Sequence, residues 1–209
     1  MTFECSGASS TLPGAVREAL ECFLLWQYRL EHGSSTLCNH GRFHPGYAKS
    51  RDRSSDVRGG RLPAGQTNPA GGPSMAPLQP HGQAVDVDWM GLRWALVQGL
   101  RASAGQIGVP APGIYKLLTP EAQEVLYIGE TRNLRNRLRV HASVDWGCEA
   151  VCSWVALPDA RHPYQRHEME NDLIGSYYGQ TRTAPRFQFA NGRRRGASDG
   201  GGGSSTVGR

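Results

Sequence analysis

Two tyrosines, several arginines and a histidine lie close together in the segment GIYKLLTPEAQEVLYIGETRNLRNRLRVH. Tyr115 and Tyr127 occupy similar Gly/Ile settings, and Arg137 and His141 are four residues apart, so a helix would present both on one face. Glu170 follows in a separate stretch, MENDLI. Together these groups suit phosphodiester hydrolysis. The carboxylate can hold a divalent metal, the guanidinium can bind phosphate oxygens, and a phenol or imidazole can orient or deprotonate the attacking water.

The two tyrosines require a β-hairpin to bring them together. Residues 113–118 and 124–129 have strand-like patterns on either side of the turn sequence TPEAQ, which predicts neighbouring antiparallel strands. Thr131 or Asn133 is then expected to cap a helix of about a dozen residues. That helix would carry Arg137 and His141 next to the hairpin.

Glu170 requires a second helix. Residues 163–178 fit one, with Pro163 in its first turn, where a missing N–H costs nothing. The preceding stretch AVCSWVALP predicts a third strand that ends at Pro158. Met169, Leu173 and Ile174 mark the buried side of the helix, which leaves Glu170 near the rim of the core.

These motifs resemble the catalytic domain of the GIY-YIG nuclease family. The resemblance is carried by Gly113-Ile114-Tyr115, by Tyr127-Ile128-Gly129 after an interval of eleven residues, by Arg137 in NLRNRL, and by Glu170 in ENDLI. The order and spacing of the four elements match the family over residues 112–189. The remainder of the chain is not covered by the resemblance.

The resemblance implies a mixed α/β (α+β) fold, with a small three-stranded antiparallel sheet flanked by helices. It also implies that Glu170 holds a single Mg²⁺, which Mn²⁺ can replace, and that this ion keeps most of its waters. Tyr115 is expected to be the general base, with Tyr127 orienting the water or the phosphate and His141 assisting. The implied catalytic set is Tyr115, Tyr127, Arg137, His141, Glu170 and Gln188.

Gln188 is a departure from the family pattern. The family usually closes its site with an asparagine after the second helix, whereas this chain reads APRFQF with Gln188 at that place. Glutamine keeps the amide group and adds a methylene, so its reach differs. The change bears on the efficiency of the site.

The charge of the chain favours a polyanionic partner. The formal net charge is +5, and Lys49 and Lys116 are the only lysines, so arginine supplies nearly all the positive charge. The guanidinium group is a planar fork of donors that matches phosphate. DNA is the expected partner, and RNA is an alternative. The residues expected to contact phosphates are Arg132, Arg135, Arg139, Arg193, Arg194 and Arg195.

The rest of the chain is expected to be less compact. We predict a helical segment at 1–33, a disordered linker at 34–84, an accessory helix within 85–111, the nuclease-like domain at 112–191 and a disordered tail at 192–209. The five cysteines are odd in number and irregularly spaced, which argues against a disulfide framework. No stretch predicts a membrane span or a signal peptide, so a cytoplasmic location is expected.

The leading functional prediction is a metal-dependent DNA endonuclease of a stand-alone, restriction-like or mobile-element type. Two alternatives stay open. One is a nucleic-acid-binding module that keeps the fold without catalysis, which the substitution at Gln188 suggests, and the other is an RNA-directed nuclease.

Overall fold

The computed structural model describes residues 11–37, 39–50 and 59–189. Within them, the fold is mixed α+β, with four α-helices and a four-stranded antiparallel sheet. The elements in chain order are α1 (Gly14–His32), β1 (Gln98–Gly99), α2 (Leu100–Gln106), β2 (Gly113–Leu118), β3 (Val125–Thr131), α3 (Leu134–His141), β4 (Val151–Ala156) and α4 (Pro163–Thr181).

The sheet has the strand order β1-β4-β2-β3, so β3 is an edge strand and β2 is central. The predicted fold class is therefore confirmed, but the prediction of three strands is wrong. The strand that was not predicted is β1. It has only two residues, which pair as Gln98 with Cys152 and Gly99 with Val151. A two-residue strand contains no alternation for a sequence pattern to reveal.

Strand β2 separates two hydrophobic clusters. Ile114 and Leu118 belong to the cluster that includes α1 and α4, whereas Tyr115 and Leu117 belong to the cluster that includes α2 and α3. This division follows from the two-residue period of a strand, which sends successive side chains to opposite faces. The first tyrosine of the motif consequently points toward α3.

The local signals for the helices of the candidate site are present in the structure. Asn133 is the N-cap of α3, and its side chain accepts a hydrogen bond from the Asn136 N–H at 3.1 Å. Pro163 is the first residue of α4. Helix α3 has eight residues rather than about a dozen, because the chain turns after His141. There Trp146 donates its indole N–H to the His141 carbonyl at 3.0 Å.

Within the region 85–111, where an accessory helix is predicted, most of the chain is not helical. The chain instead makes a single 3-10 turn at Trp89–Gly91 and runs on without helix to β1, and only Leu100–Gln106 is helical. Gly91 has a φ of 69°, in the left-handed region that interrupts an α-helix. Tertiary packing determines this path, because Trp89 and Trp94 stack with ring centroids 6.0 Å apart above the buried ammonium group of Lys116.

The prediction of a disordered linker at 34–84 is also wrong for the residues that the structure describes. Leu78 and Ala84 are buried in the core cluster shared by α1 and α4. The Leu78 carbonyl accepts the indole N–H of Trp26 at 2.8 Å, and the Leu78 N–H donates to Asp172 at 3.0 Å. A proline-rich segment of this kind has no helical or strand period, yet it satisfies buried polar groups through its backbone.

The described part of the predicted N-terminal segment, residues 11–33, does not form a separate unit either. Its helix, α1, lies along α4 so closely that a Cβ added at Gly175 would come within 2.7 Å of the Cys22 carbonyl oxygen. The described part of the predicted nuclease-like domain, residues 112–189, therefore belongs to a larger core. The predicted tail at 192–209 lies outside the described residues. Among the helices that are described, none has the length and apolar character required to cross a membrane.

Candidate active site

The hydroxyl group of Tyr115 is the centre of the predicted constellation. Arg137 donates its Nε–H to this hydroxyl at 3.0 Å, and His141 Nε2 shares a hydrogen bond with it at 2.8 Å. Arg137 and His141 reach the same atom because they are one helical turn apart on α3, as the spacing predicts. Burial opposes the charge of Arg137, but Tyr115 and Tyr127 together hold its pKa above the usual value, so Tyr127 also lies beside the guanidinium. The structure therefore brings four of the predicted residues together.

Both glycines of the motif have a packing role. Gly129 pairs with Tyr115 across the β2–β3 ladder, and a Cβ at Gly129 would lie 2.4 Å from the Tyr115 hydroxyl oxygen. A Cβ at Gly113 would lie 2.3 Å from the Val155 carbonyl oxygen and 2.5 Å from a methyl carbon of Leu134. Alanine fits at neither position without a shift of the neighbours, so the glycines make room for the tyrosine ring and for α3.

The two tyrosines differ in their access to solvent. Tyr115 is 0% exposed, whereas Tyr127 is only partly buried. Burial, followed by the neighbouring Tyr127, raises the pKa of Tyr115 well above its usual range, and Arg137 opposes this rise. The neutral phenol is consequently the favoured form of Tyr115.

Aromatic rings form one wall of the site. The ring of Tyr127 lies 5.7 Å from that of His141 and 6.0 Å from that of Trp146, between centroids. Phe187 extends the wall, with its centroid 5.4 Å from that of Trp146. The contact places the C-terminal stretch next to the second tyrosine, which a local reading of APRFQF does not reveal.

Glu170 approaches from α4, on the other side of the sheet. It lines a cavity of about 290 Å³ together with Cys22, His40, His167, Gln188 and Phe189. Burial, and then the charge of Glu130, raise the pKa of Glu170 to about 7, while His167 and Arg137 oppose the shift. Glu170 is therefore within electrostatic range of the arginine that holds both tyrosines.

Sequence reasoning alone misses a second carboxylate beside Glu170. Glu130, directly after the YIG tripeptide, forms an ion pair with Arg166 at 2.7 Å and another with His167 at 3.2 Å. Burial works against the charge of Glu130, yet the hydrogen bonds from His167 and Arg166 lower its pKa. The sequence did contain one indication that Glu170 has charged neighbours. His167 precedes Glu170 by three residues, so the two side chains share a helix face.

Gln188 is 5% exposed and contacts the motif directly. Its Oε1 accepts the backbone N–H of Ile128 at 3.1 Å, and the neighbouring Phe187 N–H donates to the Leu126 carbonyl at 2.9 Å. Residues 187–188 therefore satisfy the outer edge of β3. An exposed strand edge leaves backbone groups unpaired, and this contact removes that problem next to the site.

The predicted phosphate-contacting arginines have different surroundings. Arg132 and Arg139 are exposed near the two ends of α3. Arg135 instead directs its guanidinium at the carbonyl groups of Ile107 and Gly108, and thereby ties α3 to the end of α2. Arg135 thus has a structural contact that its sequence position does not predict. The run Arg193–Arg195 lies outside the described residues.

The carboxylates are compatible with a weakly held hard cation. Within the described residues, no group of three or more His, Cys, Asp or Glu side chains is arranged to hold a metal ion. Glu130 is engaged by Arg166 and His167, which leaves Glu170 as the carboxylate for an ion. Magnesium is commonly held by one or two carboxylates and retains several waters, so this donor set fits it.

The full chain matches no protein-family model, no curated protein and no solved structure.

Proposed function

We propose that this protein is a metal-dependent endonuclease of the GIY-YIG type that hydrolyses DNA phosphodiester bonds. The observation that carries the proposal is the position of Arg137. Its guanidinium hydrogen-bonds to Tyr115, lies beside Tyr127 and is close enough to Glu170 to oppose the rise in the pKa of that carboxyl. In this proposal the phenols and Arg137 act on the phosphate together with Glu170, whose charge Arg137 influences.

Arg137 is the residue for the scissile phosphate in this proposal. A guanidinium held by hydrogen bonds in a partly buried setting stabilises the charge on the phosphoryl oxygens without a large reorganisation. The Tyr115 hydroxyl holds it there by accepting the Arg137 Nε–H, and His141 in turn hydrogen-bonds to that hydroxyl. Glu170 is the residue that would hold Mg²⁺, and the ion when bound supplies positive charge to the phosphate.

Tyr115 takes a different role from the one expected from the resemblance, whereas Tyr127 keeps its expected role in this proposal. Tyr115 is fully buried with a raised pKa, so it suits the positioning of Arg137 better than contact with water. Tyr127 is the more accessible phenol and is assigned to orient the attacking water. Tyr127→Phe should therefore lower the single-turnover cleavage rate more than Tyr115→Phe does. A larger loss for Tyr115→Phe, with the fold intact, would restore Tyr115 as the general base.

The decisive experiment is cleavage by the full chain with and without Glu170. Wild type and Glu170→Ala are incubated in Mg²⁺ with plasmid, single-stranded DNA, branched DNA and RNA. Glu170→Ala should lose cleavage while DNA binding is nearly unchanged, because removal of the ion withdraws several kcal/mol of transition-state stabilisation. Glu121→Ala, at an exposed residue of the β2–β3 turn, is the matched control and should cleave as wild type does.

Each outcome distinguishes the candidate functions. Binding of DNA by wild type without any cleavage supports the non-catalytic binding module. Cleavage confined to RNA supports the RNA-directed alternative. Cleavage that persists in EDTA, or in Glu170→Ala, would show that the metal proposal is wrong.

A further inference from the structure

A second cavity of about 360 Å³ lies at the beginning of α4. Its walls come from the first turn of the helix, from the 3-10 turn at Pro69–Gly71 and from residues 40–41. The lining is largely apolar and aromatic and includes Pro69, Ala70, His162 and Tyr164. The rings of His162 and Tyr164 are stacked, with centroids 5.3 Å apart and planes 9° apart. Flat, weakly polar walls of this kind suit a planar ligand.

The walls of this cavity are held in place by hydrogen bonds. The Ala70 N–H donates to Asn68 Oδ1 at 2.9 Å, and the Ala70 carbonyl accepts the Phe43 N–H at 2.8 Å. Gly72 allows the Tyr164 ring to approach, because a Cβ there would lie 2.5 Å from its hydroxyl oxygen. The cavity is therefore formed before any ligand enters, which lowers the entropic cost of binding.

The cavity adjoins the candidate active site through two histidines. His167 and His40 line both this cavity and the one that contains Glu170. The His167 Nδ1–H donates to the His40 carbonyl at 3.1 Å, while its Nε2 pairs with Glu130 at 3.2 Å. Glu170 is eight residues beyond His162, which corresponds to about 12 Å along the helix. A ligand group in this cavity is thus a neighbour of whatever occupies the Glu170 site.

We propose that this cavity receives one nucleobase of the DNA substrate, from a nucleotide one or two positions from the scissile phosphate. The inference rests on the proposed function, because the phosphate at Arg137 and Glu170 fixes where the strand lies. A base that leaves its stack can pack on aromatic rings whatever its identity, since every base has a π face. The Asn68 amide, the Tyr164 hydroxyl and the His167 ring already have hydrogen-bond partners, so these groups leave shape and stacking as the means of recognising a base.

The first test changes the DNA and leaves the residues that line the cavity unaltered. A set of labelled oligonucleotides carries a single abasic position at each site around the cleaved bond, in single-stranded and in duplex form. Binding is measured with Glu170→Gln by fluorescence anisotropy, and single-turnover cleavage is measured with wild type. One position, one or two nucleotides from the cleaved bond, should lose affinity and rate by roughly tenfold or more when its base is absent.

The second test fills the cavity. Ala70→Trp places an indole in the proposed base position, whereas Ala64→Trp introduces the same residue at an exposed turn of the same loop. Ala70→Trp should cleave ordinary DNA about as slowly as wild type cleaves the sensitive abasic substrate, with no further loss on that substrate. Ala64→Trp should behave as wild type. Ala70→Leu, a smaller filler, provides the comparison if the tryptophan variant does not fold.

The two proposals fail in different ways. Uniform cleavage and binding across the abasic set, with Ala70→Leu or Ala70→Trp equal to wild type, would overturn the base-binding inference and leave the nuclease proposal standing. Binding that depends on one base, without cleavage by wild type, would support the cavity and contradict the proposed catalysis. If wild type neither binds nor cleaves any of the substrates, the base-binding inference and the nuclease proposal are both overturned.

Discussion

Helix α4 presents three carboxylates at intervals of two residues, and they have very different surroundings. Glu168 and Asp172 face α1 and the segment around residue 75, where both are 0% exposed. Glu170, between them in the sequence, lies beside a cavity and near Glu130. The same helix therefore carries a structural network on one side and the candidate active site on the other.

The network on the α1 side is saturated with hydrogen bonds. Arg29 contacts Asp172 through Nε at 2.8 Å and through Nη2 at 3.1 Å, and its Nη1 is 3.5 Å from Glu168. Glu168 also accepts the Ser74 hydroxyl and the Met75 N–H, each at 2.8 Å. Burial still raises the pKa of Asp172 to about 6, although Arg29 opposes it.

On the site side, the nearby cations are bound to groups other than Glu170. Arg166 and His167 are bound to Glu130, and Arg137 is bound to the tyrosines. Glu170 consequently retains a pKa of about 7. Burial alone therefore does not identify a functional carboxylate. What distinguishes Glu170 is that it lines a cavity and that, among the described residues, no ion pair of its own is formed with the nearby cations, and both features favour the arrival of a cation.

The largest effect is expected for Arg29→Ala, which removes the cation of the network. Two buried carboxylates then lose their ion pair, so the free energy of unfolding should fall by about 3–5 kcal/mol. Urea unfolding at neutral pH measures it. Arg17→Ala, at an exposed arginine of the same helix, should change stability by less than about 0.5 kcal/mol. Equal effects for the two variants would show that α1 does not belong to the core.

The same substitution, glutamate to glutamine, should have opposite effects on stability in the network and in the candidate site. Glu168→Gln places an amide N–H₂ against groups that already donate, and should lower the free energy of unfolding by about 1–3 kcal/mol. Glu170→Gln should have the opposite sign. It removes a carboxylate that is unfavourable when charged, and should raise stability by about 1–3 kcal/mol near pH 8 while cleavage is lost.

The stability gained by Glu170→Gln should increase with pH. The pKa of Glu170 is about 7 in the folded protein, against 4.5 for an ordinary glutamate. The folded state then binds more protons than the unfolded chain between these values, so the contribution of Glu170 to stability falls as the pH rises from about 4.5 to about 7. The difference between variant and wild type should therefore disappear below about pH 4.5. A difference that is independent of pH would contradict this account.

The smallest effect is expected at the β3 edge. Gln188→Asn shortens the side chain by one methylene and weakens its bond to the Ile128 N–H, at a cost of about 0.5–1.5 kcal/mol. Single-turnover cleavage at saturating Mg²⁺ should be unchanged or slower. Gln66→Asn, at an exposed loop residue, is the matched control. A several-fold faster cleavage by Gln188→Asn would mean that the site is impaired, and would favour the binding-module alternative.

Short-range patterns in the sequence were sufficient for the elements that carry the motif. Strands β2 and β3, the Asn133 cap of α3 and the Pro163 start of α4 were all predicted, because each depends on residues within a few positions of one another. The spacing of Arg137 and His141 likewise predicted their common face, and both reach the Tyr115 hydroxyl. Local geometry determines such contacts once the helix and the hairpin form.

Only the tertiary structure decided how the rest of the chain is used. Arg29 and Asp172 are 143 residues apart in the sequence, and Glu168 binds the Met75 backbone across 93 residues. No periodicity encodes such pairs, because their partners are set by which distant segments meet when buried charges require neutralisation. The segment around residue 75 has the composition of a linker, yet its backbone donors satisfy carboxylates inside the core. The sequence alone was enough to identify the two tyrosines, Arg137 and Glu170 as candidate site residues. Tertiary packing determined that Glu170, and not Glu168 or Asp172, faces a cavity.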